Sequence, residues 1–139
     1  MIGTGDCNLG CVSILYGNSS GTLQAPIEIN GGTAPEAVVV GDFNVDGRPD
    51  IAVASFNSVT VLLNQGNDAA GHAIFAPSSG SPFLLAGDPN GPVFAMTTVD
   101  LTGHGKVDLV LSGVPSRARH SRKHHRVFNV SPAVLTRLD

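Results

Sequence analysis

The chain has 139 residues, 42% of them apolar, which is enough for one modest hydrophobic core. Seventeen glycines, nine prolines and no tryptophan indicate a chain that turns often and builds short strands, and they argue against an all-α fold. Residues 1–115 hold ten acidic side chains against two basic ones, a formal charge of −8. This acidity disfavours nucleic acid as a partner and favours hard cations.

The first residues contain two cysteines and no targeting signal. Residues 1–6 have neither the basic start nor the apolar run of a signal peptide, so we expect a soluble chain that is truncated at its start. No stretch is long and apolar enough for a membrane span. Cys7 and Cys11 lie four positions apart, a spacing compatible with a small disulfide in an oxidising compartment, with free thiols or, less readily, with a metal.

One pattern occurs twice, at residues 42–50 and 100–108, an offset of 58 positions. Each copy lies between two Val- and Ile-rich runs, which predicts a loop between two strands. Residues 12–18 and 25–26 resemble residues 59–65 and 76–77, so the chain is expected to open halfway through a repeat unit.

The complete unit is predicted to contain four antiparallel strands. Three of them are expected at residues 37–41, 51–55 and 59–63, and the fourth somewhere in 74–86, where residues 73–75 and 83–86 compete for the place. If each four-stranded unit is called a blade, the chain is predicted to divide into a partial blade over 1–35, a full blade over 36–86, a partial blade over 87–115 and a basic tail over 116–139.

Four-stranded units repeated in tandem predict an all-β fold made of antiparallel blades of a β-propeller. About two blades are present, a partial propeller whose apolar faces neighbouring blades would cover. We therefore expect the chain either to associate with copies of itself or to be completed by further blades of a longer protein.

The tail is foreign to this pattern, because it holds six basic side chains, three of the five histidines and one carboxylate. Such a run could contact phosphate or anionic lipid, or use its histidines for proton or metal binding, but a disordered end without a selected role is the simpler interpretation.

The first loop, Asp-x-Asn-x-Asp-Gly-x-x-Asp, carries the oxygen donors that calcium prefers. The predicted ligands are the side chains of Asp42, Asn44, Asp46 and Asp50 and the backbone carbonyl of Arg48, and Gly47 permits the bend. Calcium bound here would tie two strands together, a structural role. The alternative is a turn held only by hydrogen bonds from Asp and Asn side chains to the backbone.

The second loop is a weaker candidate site, because His104 replaces the central carboxylate and calcium seldom favours nitrogen. Its predicted set is Asp100, Thr102, His104, the Lys106 carbonyl and Asp108. An eroded site that keeps its shape through hydrogen bonds is the simpler interpretation.

The sequence provides no recognisable catalytic set, so we expect a protein that is not an enzyme. Asp68 lies in a turn-rich stretch typical of turn formers, and Ser79–Gly80–Ser81 lacks the setting of a nucleophile elbow. His72 follows Gly71 in a polar loop with no sequence partner and is expected to be solvated.

Residues 40–54, VGDFNVDGRPDIAVA, resemble the FG-GAP/VCBS repeat of integrin α-chain propellers and of many secreted bacterial proteins, and the likeness extends over about residues 10–113. The resemblance implies a seven-bladed propeller in complete members, calcium in the loops between strands, and adhesion or ligand binding outside the cell. We therefore expect an extracellular or cell-surface module with an unknown protein or carbohydrate ligand, whose identity the repeat does not imply. The alternative is a structural or accessory repeat of a larger secreted protein, one whose enzyme domain is absent from this chain.

Overall fold

The computed structural model describes residues 10–56, 58–85 and 93–113, together with the backbone of 128–130. The described residues form β-strands and no helix, and therefore contain no helix that could cross a membrane. The strands are β1 (Cys11–Ile14), β2 (Ile27–Asn30), β3 (Pro35–Gly41), β4 (Asp50–Ser55), β5 (Ser58–Asn67), β6 (Ala73–Pro77), β7 (Phe83–Leu84), β8 (Val93–Val99), β9 (Asp108–Gly113) and β10 (Phe128–Val130).

The central sheet is a complete antiparallel unit with strand order β3-β4-β5-β6, and β7 pairs with β5 beyond the end of β6. It runs from Pro35 to Leu84, and two smaller sheets flank it: the hairpin β1-β2 before it and the three strands β8, β9 and β10 after it. The prediction of an all-β fold built from antiparallel blades is confirmed. The described residues make one complete blade and parts of two others, and they do not close a ring.

β4 is buried on both faces, which explains its continuous run of small apolar residues where a half-exposed strand would alternate. Ala52 and Ala54 face a core shared with β8 and β9, whereas Ile51 and Val53 face a second core shared with the β1-β2 hairpin. Burying one Val or Leu side chain in such a core contributes about 1.5–3 kcal/mol. The two cores stack the three sheets face to face.

The fourth strand of the central sheet consists of two pieces, so both candidate segments take part in it. β6 pairs with residues 62–67 of β5, and β7 pairs with Ser58 and Val59 at the other end. Between the two pieces, the Ser81 hydroxyl accepts the Val61 N–H at 2.8 Å. The interruption therefore leaves this donor of β5 satisfied.

Residues 128–130 form β10, which pairs antiparallel with β9 inside the segment predicted to be a basic tail. A disordered end, not a strand, was expected there. The rest of that segment lies outside the described residues, and the predictions about its role stay predictions. Cys11 is disulfide-bonded, while Cys7, the other cysteine of the chain, also lies outside the described residues.

Candidate functional site

The first loop, between β3 and β4, is folded around the carboxylate of Asp42. Asp42 Oδ1 accepts the Asp46 N–H at 3.0 Å, and Asp42 Oδ2 accepts the Gly47 N–H at 2.8 Å. Short polar side chains commonly close turns in this way. The same arrangement recurs in the second loop, where Asp100 takes the place of Asp42.

Both loops need a left-handed backbone at their fourth and sixth positions. Gly103 and Gly105 provide it in the second loop, with φ of 70° and 74°. In the first loop Gly47 has φ 82°, but the fourth position is Val45 with φ 62°. A left-handed backbone is strained for a β-branched residue, so Val45 lowers the stability of the first loop relative to a glycine at this position.

Asp46 lies at the exposed tip of the first loop and pairs with the Arg48 guanidinium. It also accepts the Arg48 N–H at 2.9 Å and a hydrogen bond from the Asn44 amide at 2.7 Å. Desolvation would raise the pKa of Asp46, but these hydrogen bonds and the Arg48 charge together hold the pKa below its ordinary value. The predicted site thus contains a cation from its own chain.

Asp50 is fully buried and links three parts of the central sheet. Its Oδ2 accepts the Phe43 N–H at 2.9 Å, and its Oδ1 accepts the Asn64 N–H on β5 at 2.8 Å. Burial raises the pKa of Asp50 above its ordinary value; the charges of Asp46 and Asp42 act in the same direction, and the two N–H donors oppose it. Asp50 therefore fastens the loop to its strands.

The second loop is folded around Asp100 in the same way, with backbone N–H donors and a weak hydrogen bond from the Thr102 hydroxyl at 3.4 Å. Asp100 Oδ1 accepts the N–H groups of Thr102, Gly103 and His104, and its Oδ2 accepts that of Gly105 at 2.7 Å. The Gly105 N–H is the largest cause holding the pKa of Asp100 below its ordinary value. The carboxylate is stabilised by hydrogen bonds of the kind expected for an eroded site.

Asp108 is the counterpart of Asp50 and is equally buried. Its Oδ2 accepts the Leu101 N–H at 3.0 Å, as Asp50 does from Phe43. Its Oδ1 accepts no hydrogen bond from any residue that the structure describes. His104 and Lys106, the remaining members of the weaker predicted set, lie in the same loop, with His104 exposed and Lys106 half-buried.

The fit of a cation differs between the outer and inner parts of the first loop. Asp42, Asn44, Asp46 and the Arg48 carbonyl are hard oxygen donors in one loop, as calcium requires. Asp50 is turned inward, with both oxygens accepting N–H groups. The described residues contain no group of three or more Asp, Glu, His or Cys side chains arranged to hold a metal ion. The calcium ligands of both loops stay predictions.

Asn64 is a functional residue that sequence reasoning missed. Besides donating its N–H to Asp50, it donates from its amide to the Pro49 carbonyl at 3.1 Å and accepts the Gly66 N–H at 2.9 Å. Its backbone carbonyl accepts Arg48 Nε at 2.8 Å. The signal available in the sequence was an Asn that directly follows the apolar run of β5.

His72 is half-buried and has several partners, whereas a solvated residue without a partner was expected. Its ring lies 4.8 Å from the ring of Tyr16, and its Nε2 lies 3.2 Å from Gln24 Oε1. Its Nδ1 lies 3.7 Å from Asp68 Oδ2, and the Tyr16 hydroxyl accepts the Ala73 N–H at 2.9 Å. These contacts join the β1-β2 hairpin to the β5-β6 hairpin. The sequence could not predict them, because the contacting residues of the two hairpins are far apart in the chain.

Comparison with known proteins agrees with this architecture. The family model of the FG-GAP-like repeat matches residues 2–53 and again residues 42–111. The two matches share the first loop, and the second match ends just after the second loop. The chain therefore belongs to the FG-GAP-like repeat family. Searches of curated proteins and of solved structures gave no match.

Proposed function

We propose that this β-propeller repeat segment acts outside the cell as a binding or adhesion module, with a protein or carbohydrate ligand, and that calcium binds its first loop. The observation that carries the proposal is the repeated loop, which has the same carboxylate-centred hydrogen bonds in neighbouring sheets. Membership of the FG-GAP-like repeat family supports the extracellular assignment.

The two loops lie at the same end of the stacked sheets, which suits a ligand-binding rim. β3 packs against β8, and a Cβ built on Gly41, just before the first loop, would lie 3.3 Å from the Val107 side chain at the end of the second. Loops held on a rigid sheet scaffold can vary in sequence while the strands keep their positions. We therefore place the ligand-binding surface on this rim.

Calcium binding is supported by the concentration of carboxylates in the first loop. The charges of Asp42 and Asp46 both raise the pKa of Asp50, so each of them repels the Asp50 carboxylate. A bound dication would relieve this repulsion. Calcium would compete with Arg48 and with the Asn44 amide for Asp46, because both already contact that carboxylate.

The proposal includes no catalytic role. The Ser81 hydroxyl accepts a backbone N–H of β5, and Asp68 accepts the N–H groups of Ala70 and His72 in its own turn. These side chains, the nearest to catalytic candidates in the sequence, are thus used in holding the fold. A secreted location is proposed on family membership alone.

The second candidate function is a structural or accessory segment of a larger secreted protein. The partial sheets on both sides of the central blade favour it, because each would be completed by further strands. The binding module and the accessory segment can be distinguished by testing whether the full chain binds to a panel of extracellular-matrix proteins and glycans. Specific saturable binding supports the module, and its absence from a folded sample supports the accessory role.

Calcium binding is tested by titration calorimetry and by thermal unfolding with calcium or with chelator, using the full chain. Asp46→Ala should abolish the binding heat and the calcium-dependent rise in melting temperature. Asp68→Ala is the matched control, since it also removes an exposed, turn-capping carboxylate but lies outside both loops. A folded chain that gives no heat and no calcium-dependent shift would exclude the site.

A further inference from the structure

The second partial sheet contains a buried carboxylate oxygen that its described surroundings leave unpaired. Asp108 is fully buried, and its Oδ1 has no hydrogen-bond partner among the described residues. In the complete sheet the equivalent oxygen, on Asp50, accepts the N–H of Asn64 from the third strand. Buried polar groups are normally paired, so the position of Asp108 Oδ1 calls for an N–H donor that the described residues do not provide.

β10 occupies the third-strand position but does not supply this donor. It pairs Val130 with Leu109, as β5 pairs Leu62 with Ile51, and it covers three positions where β5 covers five. In β5 the donor, Asn64, comes two residues after Leu62. Two residues after Val130 the sequence has Pro132, and proline has no N–H to donate.

The β1-β2 hairpin has the register of a third and a fourth strand. It pairs Ile14 with Ile27, so the next position brings Leu15 opposite Pro26. The central sheet pairs Leu62 with Pro77 in the same way. In this alignment β1 corresponds to β5, and β2 corresponds to β6.

Packing gives the same correspondence independently. Val12 and Ile14 of β1 pack on the sheet that follows them in the chain, the central one. Val59 and Val61, the matching residues of β5, pack on the core shared with β8 and β9, the sheet that follows theirs. The hairpin is therefore the half of a blade that β8 and β9 lack.

Gly17 of the hairpin corresponds to Asn64 and has its N–H directed outward. The bridge of Gly17 to Leu23 is flanked by two hydrogen bonds, Gln24 N–H to Tyr16 O at 2.8 Å and Asn18 N–H to Thr22 O at 3.0 Å. In an antiparallel pair, a residue between two such bonds points its own N–H away from the partner strand. The Gly17 N–H thus faces the edge of β1 that is unpaired among the described residues.

Exposed apolar side chains mark the same edge. Leu15 is 47% exposed, whereas Leu62, its counterpart in the complete sheet, is 4% exposed. Val38 and Val40 of β3 are 52% and 59% exposed on the face that points toward the hairpin side, where the described residues include no first strand. These side chains would be buried if strands equivalent to β8 and β9 lay beside the hairpin.

We infer that the β1-β2 hairpin of one copy of this chain completes the β8-β9 half-blade of a second copy, taking the place of β10. The Gly17 N–H of the first copy donates to Asp108 Oδ1 of the second, and Leu15 joins the face that Leu109 and Leu111 bury. Each copy uses a different surface at each end, so the association is head-to-tail and repeats. The first strand of the second copy, β8, then covers Val38 of the first.

The test is sedimentation velocity of the full chain over a wide concentration range. Wild type should associate, and Gly17→Pro, which removes the donor, should weaken association at least about tenfold. Gly17→Ala is the matched control, because it keeps the N–H and a Cβ there meets nothing within 4 Å. A monomeric wild type, or association that Gly17→Pro leaves unchanged, would overturn the inference.

Asp108→Asn removes the acceptor from the other side of the same contact. Its carbonyl oxygen can keep the Leu101 N–H, so the sheet should fold, and it provides the test even if Gly17→Pro disturbs the hairpin. Each variant keeps one intact surface. Gly17→Pro mixed with Asp108→Asn should therefore give a one-to-one dimer that does not grow, and a mixture that stays monomeric would contradict head-to-tail pairing.

Discussion

Replacing Asp50 by Asn tests the role of the buried carboxylate in the central sheet. Both Asp50 oxygens accept buried backbone N–H groups, at 2.9 Å from Phe43 and 2.8 Å from Asn64. An asparagine offers one oxygen and turns its NH₂ toward the other donor. Losing one hydrogen bond to a charged acceptor and leaving a buried N–H unpaired costs roughly 2–4 kcal/mol of unfolding free energy.

Asp108→Asn is the matched comparison, because only one of the two Asp108 oxygens has a partner among the described residues. The asparagine keeps that bond and loses no other hydrogen bond to the described residues, so the unfolding free energy should change by less than about 1 kcal/mol. Urea unfolding followed by far-UV circular dichroism suits a chain without tryptophan. Equal losses in the two variants, at a concentration where the chain is monomeric, would refute the reasoning.

Three further predictions concern the loops and turns. Val45→Gly should raise the unfolding free energy by about 1 kcal/mol in urea unfolding, because Val45 is left-handed and 57% exposed; a loss would mean that the valine is not strained. The pKa of Asp68 lies below its ordinary value, chiefly because it accepts the His72 N–H. Its contribution to stability should therefore be full above about pH 4 and fall as the pH drops through the lowered pKa, and urea unfolding of wild type and Asp68→Asn against pH should show their difference shrinking there. Arg48→Gln should tighten calcium binding in calorimetry, since Arg48 competes for Asp46, and unchanged or weaker affinity would argue against that competition.

Local sequence signals anticipated much of the fold. Val- and Ile-rich runs bounded by Gly, Asn, Asp and Pro gave the type and order of the strands, because strand preference and turn chemistry are local properties. The repeat at an offset of 58 residues located both loops, and the lone Gly47 marked a backbone position that needs positive φ. Two of these strands extend further than expected: β3 begins at Pro35 and β5 continues to Asn67.

Local sequence signals could not predict contacts between residues that are distant in the chain. Asn64 meets Asp50 because β5 lies beside β4, and His72 meets Tyr16 because two hairpins pack together. A side chain has no local feature that specifies such a partner. The interrupted fourth strand is of the same kind, since Ser81 can fill the gap only after the chain has returned to β5.

The sequence by itself determined the family, the antiparallel repeat and the position of two Asp-centred loops, because each depends on residue type and spacing along the chain. The tertiary structure decided which carboxylates face solvent and which are buried. The motif presents Asp42, Asp46 and Asp50 as equivalent ligands, yet packing of β5 against β4 turns Asp50 inward onto two N–H groups. Comparison of the two sheets also shows that Asp108 Oδ1 has no counterpart of the Asn64 donor among the described residues, although β10 pairs with β9 as a third strand.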